Sequence, residues 1–221
     1  MSAIAARIAE ARERISSACA RAGRSPDDVT IIAVTKGFGP DAVREAVAAG
    51  LRDIGENRVQ EAAAKRATLS DLPTGVRWHM IGHLQTNKVQ TMLGLFDTIH
   101  SVDSIHLAQA ISRRAQAPVP AFLEVNVAAE ATKTGFSLAE LPAAHRTIAT
   151  LPNIQLRGLM TVAPIAASPE DVRPVFRELA RQAKELGLGE LSMGMSDDYE
   201  VAVEEGATYV RLGRALFGER Q

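Results

Sequence analysis

From residue 30 onward, short apolar runs alternate with longer helix-patterned stretches, and this rhythm constrains the fold more than any other feature of the chain. Eight runs read as strands: residues 30–35, 53–56, 77–81, 98–102, 119–127, 154–162, 190–195 and 208–213. Helical patterns fill the intervals at 40–49, 58–69, 84–95, 104–116, 138–151, 169–186 and 197–205, and a short turn at 214–218 closes the chain. Ahead of the first strand, Ile4, Ile8, Ala11, Ile15 and Ala18 fall at helical spacing and predict one further amphipathic helix, ended by Gly23 and Ser25-Pro26. Helix starts are marked by Pro40-Asp41, Asp103-Ser104, Ser137, Ser168-Pro169 and Ser196-Asp197, and helix ends by Gly50, Gly187 and Gly206.

A strand followed by a helix, eight times in 221 residues, predicts a single (β/α)8 TIM barrel over residues 1–221 with an extra N-terminal helix. The rival is a doubly wound open sheet. That fold usually follows its first strand with G-x-G-x-x-G, whereas Lys36-Gly37-Phe38-Gly39 stands here. No linker, low-complexity segment or short repeat interrupts the chain.

Composition removes several function classes. The formal net charge is -1, with 25 basic and 26 acidic side chains, which argues against a surface built for nucleic acid. Cys19 is the single cysteine, so an intrachain disulfide and a Cys-rich zinc site are both excluded. Arg7, Glu10, Arg12, Glu13 and Arg14 interrupt any signal-peptide apolar region. No apolar run approaches the ~20 residues needed to span a membrane. The expectation is a soluble cytoplasmic protein without a membrane or metal partner. The lack of an apolar surface stripe leans towards a monomer. Arginine is the habitual basic residue, and only five lysines occur. A lysine kept in such a chain draws attention, because a neutral amine can act as a nucleophile and a guanidinium cannot.

A barrel of this kind carries its site at the C-terminal ends of the strands. Lys36 ends the first strand on the same face as Ile32 and Val34. Partial desolvation there lowers a lysine pKa, and the amine can form a Schiff base with a carbonyl substrate or with pyridoxal phosphate. A solvated lysine at a strand end is the plain alternative. After strand seven, Ser196 is expected at the N-cap of the next helix, where its hydroxyl and backbone N–H groups would hold a phosphate. After strand eight, Gly213 permits close approach to an anion, followed by the Arg214 N–H, and Arg211 shares a face with Gly213. The plain alternative is a helix cap and a loop glycine.

The other candidates are less specific. Asn57 follows strand two and is either a ligand residue or a helix cap. His79 lines a ring pocket or is a satisfied core histidine. Met160 ends strand six. His79 and His83 are four apart, but the strand pattern around Trp78 opposes a helical metal pair. Glu124 is expected to pair with an inward arginine, Arg157 or Arg211. Lys133 is expected on a flexible surface loop, with a second amine over the barrel mouth as the alternative.

Together these segments are similar to a known family. Ala33-Val34-Thr35-Lys36, Ile54-Gly55-Glu56-Asn57-Arg58-Val59-Gln60-Glu61 and Trp78-His79-Met80-Ile81-Gly82-His83-Leu84-Gln85-Thr86-Asn87-Lys88 carry the resemblance. So do Glu124-Val125-Asn126, Gly158-Leu159-Met160-Thr161, Leu191-Ser192-Met193-Gly194-Met195-Ser196 and Val210-Arg211-Leu212-Gly213. They resemble the YggS/PROSC family of pyridoxal phosphate homeostasis proteins from about Val34 to Gly218. The resemblance implies a barrel like the cofactor domain of alanine racemase, with pyridoxal 5'-phosphate held as a Schiff base on Lys36. It implies a phosphate held by Ser196 and the Gly213-Arg214 backbone, and Arg211 facing the pyridine nitrogen. Such an arginine disfavours a protonated ring nitrogen and weakens the ring as an electron sink.

The activity implied is binding, buffering or delivery of the cofactor to apo-enzymes, with little or no turnover. The alternatives are a pyridoxal phosphate-dependent amino-acid racemase and a cofactor-free Schiff-base aldolase. The chain departs from the family pattern at Gly37-Phe38-Gly39 and at Arg214, where many relatives carry Ser or Thr.

Overall fold

The computed structural model describes residues 2–219. The single-domain reading of 1–221 also covers Met1, Arg220 and Gln221, which lie outside the described residues. In chain order the elements are α1 (Ala3–Arg21), β1 (Thr30–Val34), α2 (Pro40–Ala48), β2 (Asp53–Glu56), α3 (Val59–Arg66) and β3 (Arg77–Met80). They continue with α4 (Val89–Leu93), β4 (Thr98–Val102), α5 (Ile105–Arg114), β5 (Val119–Glu124), α6 (Leu141–Ala149) and β6 (Ile154–Met160). The last are α7 (Arg173–Glu185), β7 (Glu190–Ser192), α8 (Tyr199–Glu204), β8 (Tyr209–Leu212) and α9 (Arg214–Phe217). All pairings are parallel, and β1 pairs with both β2 and β8, closing the barrel.

Alternation along each strand separates two buried layers. Ile31 and Ala33 of β1, Ile54 of β2, Leu123 of β5 and Val210 of β8 join one cluster with helix residues such as Val43, Ile111, Phe176 and Ala202. Ile32, Val34, Phe122 and Met160 are equally buried but lie outside that cluster, within the barrel. The same alternation carries Lys36 to the mouth, two residues beyond Val34. Gly50, Gly187 and Gly206 take positive φ at helix ends, as their positions predict, and the Ser104 hydroxyl caps α5 by accepting the Leu107 N–H.

The predicted strands overran the ladder at their C-terminal ends. β5 stops at Glu124 rather than residue 127, β6 at Met160 rather than 162, and β7 at Ser192 rather than 195. Beyond each stop the backbone turns into site loops. Gly194 has φ +91°, and a Cβ there would lie 2.6 Å from the Ala202 Cβ, so only glycine makes this turn against α8. The predicted helix at 84–95 resolves into a 3-10 turn over Thr86–Lys88 and the short α4.

The extra helix α1 forms as expected and packs beside α2, α8 and α9. Arg14 pairs with Glu200 and Arg21 with Glu204, while Arg24 donates to the Val203 and Ala207 carbonyls. These links tie α1 to the α8 segment beyond the β7 site loop. No helix among the described residues is long and apolar enough to cross a membrane.

Candidate cofactor site

At the C-terminal ends of β1, β2, β7 and β8 lies a cavity of about 580 Å³. That size falls in the ~300–1,000 Å³ range of small-molecule sites. Its wall contains Lys36, Asn57, Ser196, Arg211, Gly213 and Arg214, together with the apolar Val34, Phe38, Ile81, Val162 and Met195. Six of the eight residues proposed from sequence therefore meet around one space. His79 and Met160 do not line it.

Lys36 sits in a tight turn. The Phe38 N–H donates to the Thr35 carbonyl at 3.0 Å, and Gly37 has φ +76°. A positive φ at the third position of a four-residue turn is the type II pattern, which glycine satisfies without strain. This accounts for Gly37 in a segment that sequence left undefined. Opposite, Ser196 is not the cap of α8. Asp198 holds that position, and its carboxylate accepts the Met195 N–H at 2.6 Å. Two residues separate Ser196 from the helix, and its Oγ instead accepts the Ala215 N–H in the first turn of α9 at 3.1 Å. The serine still faces the predicted partner segment, through α9 rather than α8. Arg214 reaches Asp197 with its guanidinium, so its charge is already engaged. Its backbone N–H opens α9, while the next two, of Ala215 and Leu216, donate to Ser196 Oγ and the Gly213 carbonyl.

Asn57 is placed by a close approach. A Cβ on Gly82 would lie 2.5 Å from the Asn57 carbonyl oxygen and 2.7 Å from its Cα, so the β2 and β3 loops meet only because residue 82 is glycine. The Asn57 Oδ1 is buried without a hydrogen-bond partner among the described residues.

Arg211 is buried, and its guanidinium is fixed from below. Nη1 donates to Ser192 Oγ at 2.7 Å, and Nη2 donates to the Thr161 carbonyl at 2.8 Å. Burial pulls its pKa down to about 10, which leaves it a cation at neutral pH. Ser192 Oγ also lies 2.8 Å from His100 Nδ1. His100 Nε2 is 2.9 Å from His79 Nδ1, and His79 Nε2 is 2.8 Å from Asp53 Oδ1. Arg77 closes the series with two bonds of 2.7 Å to the Asp53 carboxylate. A polar chain thus runs through the barrel from the start of β2 to the cavity.

Burial, with the nearby His79 and Arg211, holds the His100 pKa well below the usual range, so His100 is neutral. With His100 neutral, a proton on its Nε2 satisfies every link. Arg211 donates to Ser192, Ser192 to His100, His100 through Nε2–H to His79, and His79 through Nε2–H to Asp53. Burial opposes charge on Asp53, but the bonds from His79 and Arg77 outweigh it and hold its pKa below the ordinary carboxylate value. His79 is therefore a barrel-interior link and does not reach the cavity wall. Met160 is buried within the barrel beside Glu124 in the β5–β6 ladder.

Two further expectations change. Arg157 pairs with Glu190, and Glu124 accepts the Thr134 hydroxyl at 2.8 Å, so neither inward-arginine pairing of Glu124 forms. Burial raises the Glu124 pKa against the opposing Thr134 bond. Lys133 is tied down: its Nζ lies 3.1 Å from the Val162 carbonyl and 2.5 Å from Glu130 Oε1. Sequence reading missed Asp53, His100 and Ser192 as supports of Arg211. A signal existed, because His100 interrupts the apolar run of β4. No group of His, Cys, Asp and Glu able to hold a metal occurs among the described residues.

The wall chemistry fits a phosphorylated aromatic aldehyde. It offers an amine, a serine hydroxyl beside the start of α9, a fixed guanidinium and an orphaned amide oxygen, and the wall carboxylate Asp197 is paired with Arg214. The family model for the alanine racemase N-terminal domain matches residues 3–221. The fold and cavity thus define a barrel of that class. A pyridoxal phosphate homeostasis protein of Pseudomonas aeruginosa is 46% identical over 225 residues, covering 100% of this chain and 97% of the relative. The chain belongs to the pyridoxal phosphate homeostasis protein family. A solved structure of PipY from Synechococcus elongatus PCC7942 with PLP bound is 40% identical, with a TM-score of 0.85 over 97% of this chain and 100% of that one. Alanine racemase from Corynebacterium glutamicum is 16% identical, with a TM-score of 0.72 over 98% of this chain and 60% of that one, a likeness of fold.

Proposed function

We infer that this protein binds pyridoxal 5'-phosphate reversibly through Lys36 and holds it for exchange within the vitamin B6 pool. The observation that carries this reading is the single cavity that Lys36, Ser196, Arg211, Gly213 and Arg214 line together. The family's name and the PLP-bound relative support it. When bound, the cofactor supplies an aldehyde that condenses with an amine and a ring that can draw electrons from the product. The chain's own residues supply the contacts. Lys36 provides the amine. The Ser196 hydroxyl and the Gly213-Arg214 backbone bind the phosphate. Asn57 Oδ1 takes a donor at the ring edge.

Arg211 is a cation whose N–H groups can only donate, so it favours an unprotonated ring nitrogen facing it. That choice weakens electron withdrawal and suits holding over turnover. A cavity open to solvent lets a second amine reach the Lys36 link. Apo-enzymes that use the same cofactor are the recipients in this reading, and the protein acts as a cytoplasmic monomer.

The test is titration of apo-protein with pyridoxal phosphate, followed by incubation with an apo-enzyme. Saturable binding lost in Lys36→Ala, with recovery of the recipient's activity, is expected. Equal binding by Lys36→Ala would overturn the reading, and rapid racemization of amino acids by the loaded protein would overturn the holding role.

A further inference from the structure

Lys65 lies near the end of α3, four residues after Glu61. That spacing ordinarily gives a solvated Glu–Lys pair on a helix surface. The structure buries it instead: the Lys65 side chain is 6% exposed and that of Glu56 is 0% exposed. Lys65 Nζ lies 2.6 Å from the Thr35 carbonyl oxygen, 2.5 Å from Glu56 Oε1 and 2.8 Å from Glu61 Oε1. These three acceptors match the three donors of an ammonium. Glu61 Oε1 in turn accepts the Gly37 N–H at 2.5 Å, and the Thr35 hydroxyl donates to Glu56 Oε1 at 2.5 Å.

The Thr35 carbonyl and the Gly37 N–H belong to the two peptide groups on either side of the Lys36 Cα. One ammonium and one carboxylate therefore grip the chain immediately before and after Lys36. The grip adds to the backbone hydrogen bond from Phe38 to Thr35 that closes the turn, whose third position is a conformationally free glycine. Stability alone does not account for the cluster. A buried ion pair is commonly no more stabilising than apolar side chains of the same volume. Burial drives the Glu56 pKa up against its bonds to Lys65 and Thr35, and Glu56 Oε2 has no hydrogen-bond partner among the described residues.

We propose that Lys65, with Glu61 and Glu56, is a positioning device for Lys36, fixing its backbone so that its amine meets the aldehyde of a cofactor already held by β7, β8 and α9. This rests on the reading of Lys36 as the cofactor lysine. The device acts on the covalent contact and leaves the phosphate and ring contacts alone. Two ligands separate these. Pyridoxal phosphate uses both kinds of contact, whereas pyridoxamine phosphate has no aldehyde and uses only the second.

Affinities for both ligands are measured by equilibrium titration in wild type, Lys65→Met and Glu61→Ala. Thermal unfolding of each apo-protein is recorded alongside. Glu61→Ala removes the Gly37 acceptor and leaves the Lys65–Glu56 pair whole, so it decides the matter if Lys65→Met does not fold. Each folded variant is expected to bind pyridoxal phosphate about 10- to 100-fold more weakly, the scale of a misplaced reacting group, with pyridoxamine phosphate affinity unchanged within about twofold. Equal losses for both ligands, or no loss for either, would overturn the proposal. Borohydride reduction of loaded wild type separates the two levels. A label on Lys36 with unaffected variants sinks the device alone, whereas a label elsewhere sinks the cofactor reading and the device with it.

Discussion

Ser192→Ala tests the polar chain beneath Arg211. Ser192 is fully buried, and its Oγ serves two groups, Arg211 Nη1 at 2.7 Å and His100 Nδ1 at 2.8 Å. Alanine removes both links and keeps the backbone of β7. The space left by one oxygen is smaller than the ~30 Å³ share of a water molecule, so solvent does not restore them. Each buried group left without its partner costs about 1–3 kcal/mol, and two such groups at about 1.5 kcal/mol each put the substitution near 3 kcal/mol. In a chain of this length 1 kcal/mol moves the melting temperature by about 2–4 °C, so the expected loss is roughly 6–12 °C.

Ser101→Ala is the control, because among the described residues the Ser101 hydroxyl serves one group, the Gly82 carbonyl at 2.6 Å. Its loss is expected at about 1 kcal/mol. The assay is thermal unfolding of apo-protein by circular dichroism, with two-state behaviour checked at a second wavelength. A Ser192→Ala shift no larger than that of Ser101→Ala would refute the idea that the chain braces Arg211.

Further tests address other parts of the site. Glu124→Gln keeps the acceptor for Thr134 and removes a carboxylate whose folded pKa is raised by burial. A raised carboxyl pKa costs stability above the folded value and nothing below the unfolded value of about 4.3. The variant should therefore be more stable than wild type at pH 7.5 in urea, with a gain that shrinks as pH falls through that window; a gain independent of pH would contradict this. Gly82→Ala forces a Cβ against the Asn57 backbone, so it should weaken both pyridoxal phosphate and pyridoxamine phosphate, and unchanged titrations would discount Asn57. Nitrogen-15 NMR of imidazole-labelled apo-protein should show His100 neutral with its proton on Nε2 at pH 7; a proton on Nδ1 would reverse the chain's direction.

The parts of this architecture that sequence revealed are those set by near neighbours. Period-two alternation placed Ile32, Val34 and Lys36 on one face, and glycines 50, 187 and 206 marked helix ends because each needs positive φ. Lys36, Arg211 and Gly213 could be assigned to the mouth because barrel topology sends every strand's C-terminal end there. What stayed hidden depends on long-range closure. Ser196 read as the cap of α8, since Asp197 and Asp198 come directly after it, yet its hydroxyl turns to Ala215, 19 positions away. His79 read as either a ring contact or a satisfied core histidine, and its partners Asp53 and His100, which come from β2 and β4, make it the second. Lys65 falls inside the predicted helix at 58–69 with no role assigned to it, and only the packing of α3 against the end of β1 brings it to the Thr35 carbonyl.

The central claim is that Lys36 is the amine that takes the cofactor. Purified protein loaded with pyridoxal 5'-phosphate is reduced with borohydride, digested and sequenced by mass spectrometry. A pyridoxyl group on the Lys36 peptide, and its absence from the Lys36→Ala protein, is the predicted result. A group carried on Lys65 or Lys133 instead, or a protein that takes up no cofactor, would contradict the account.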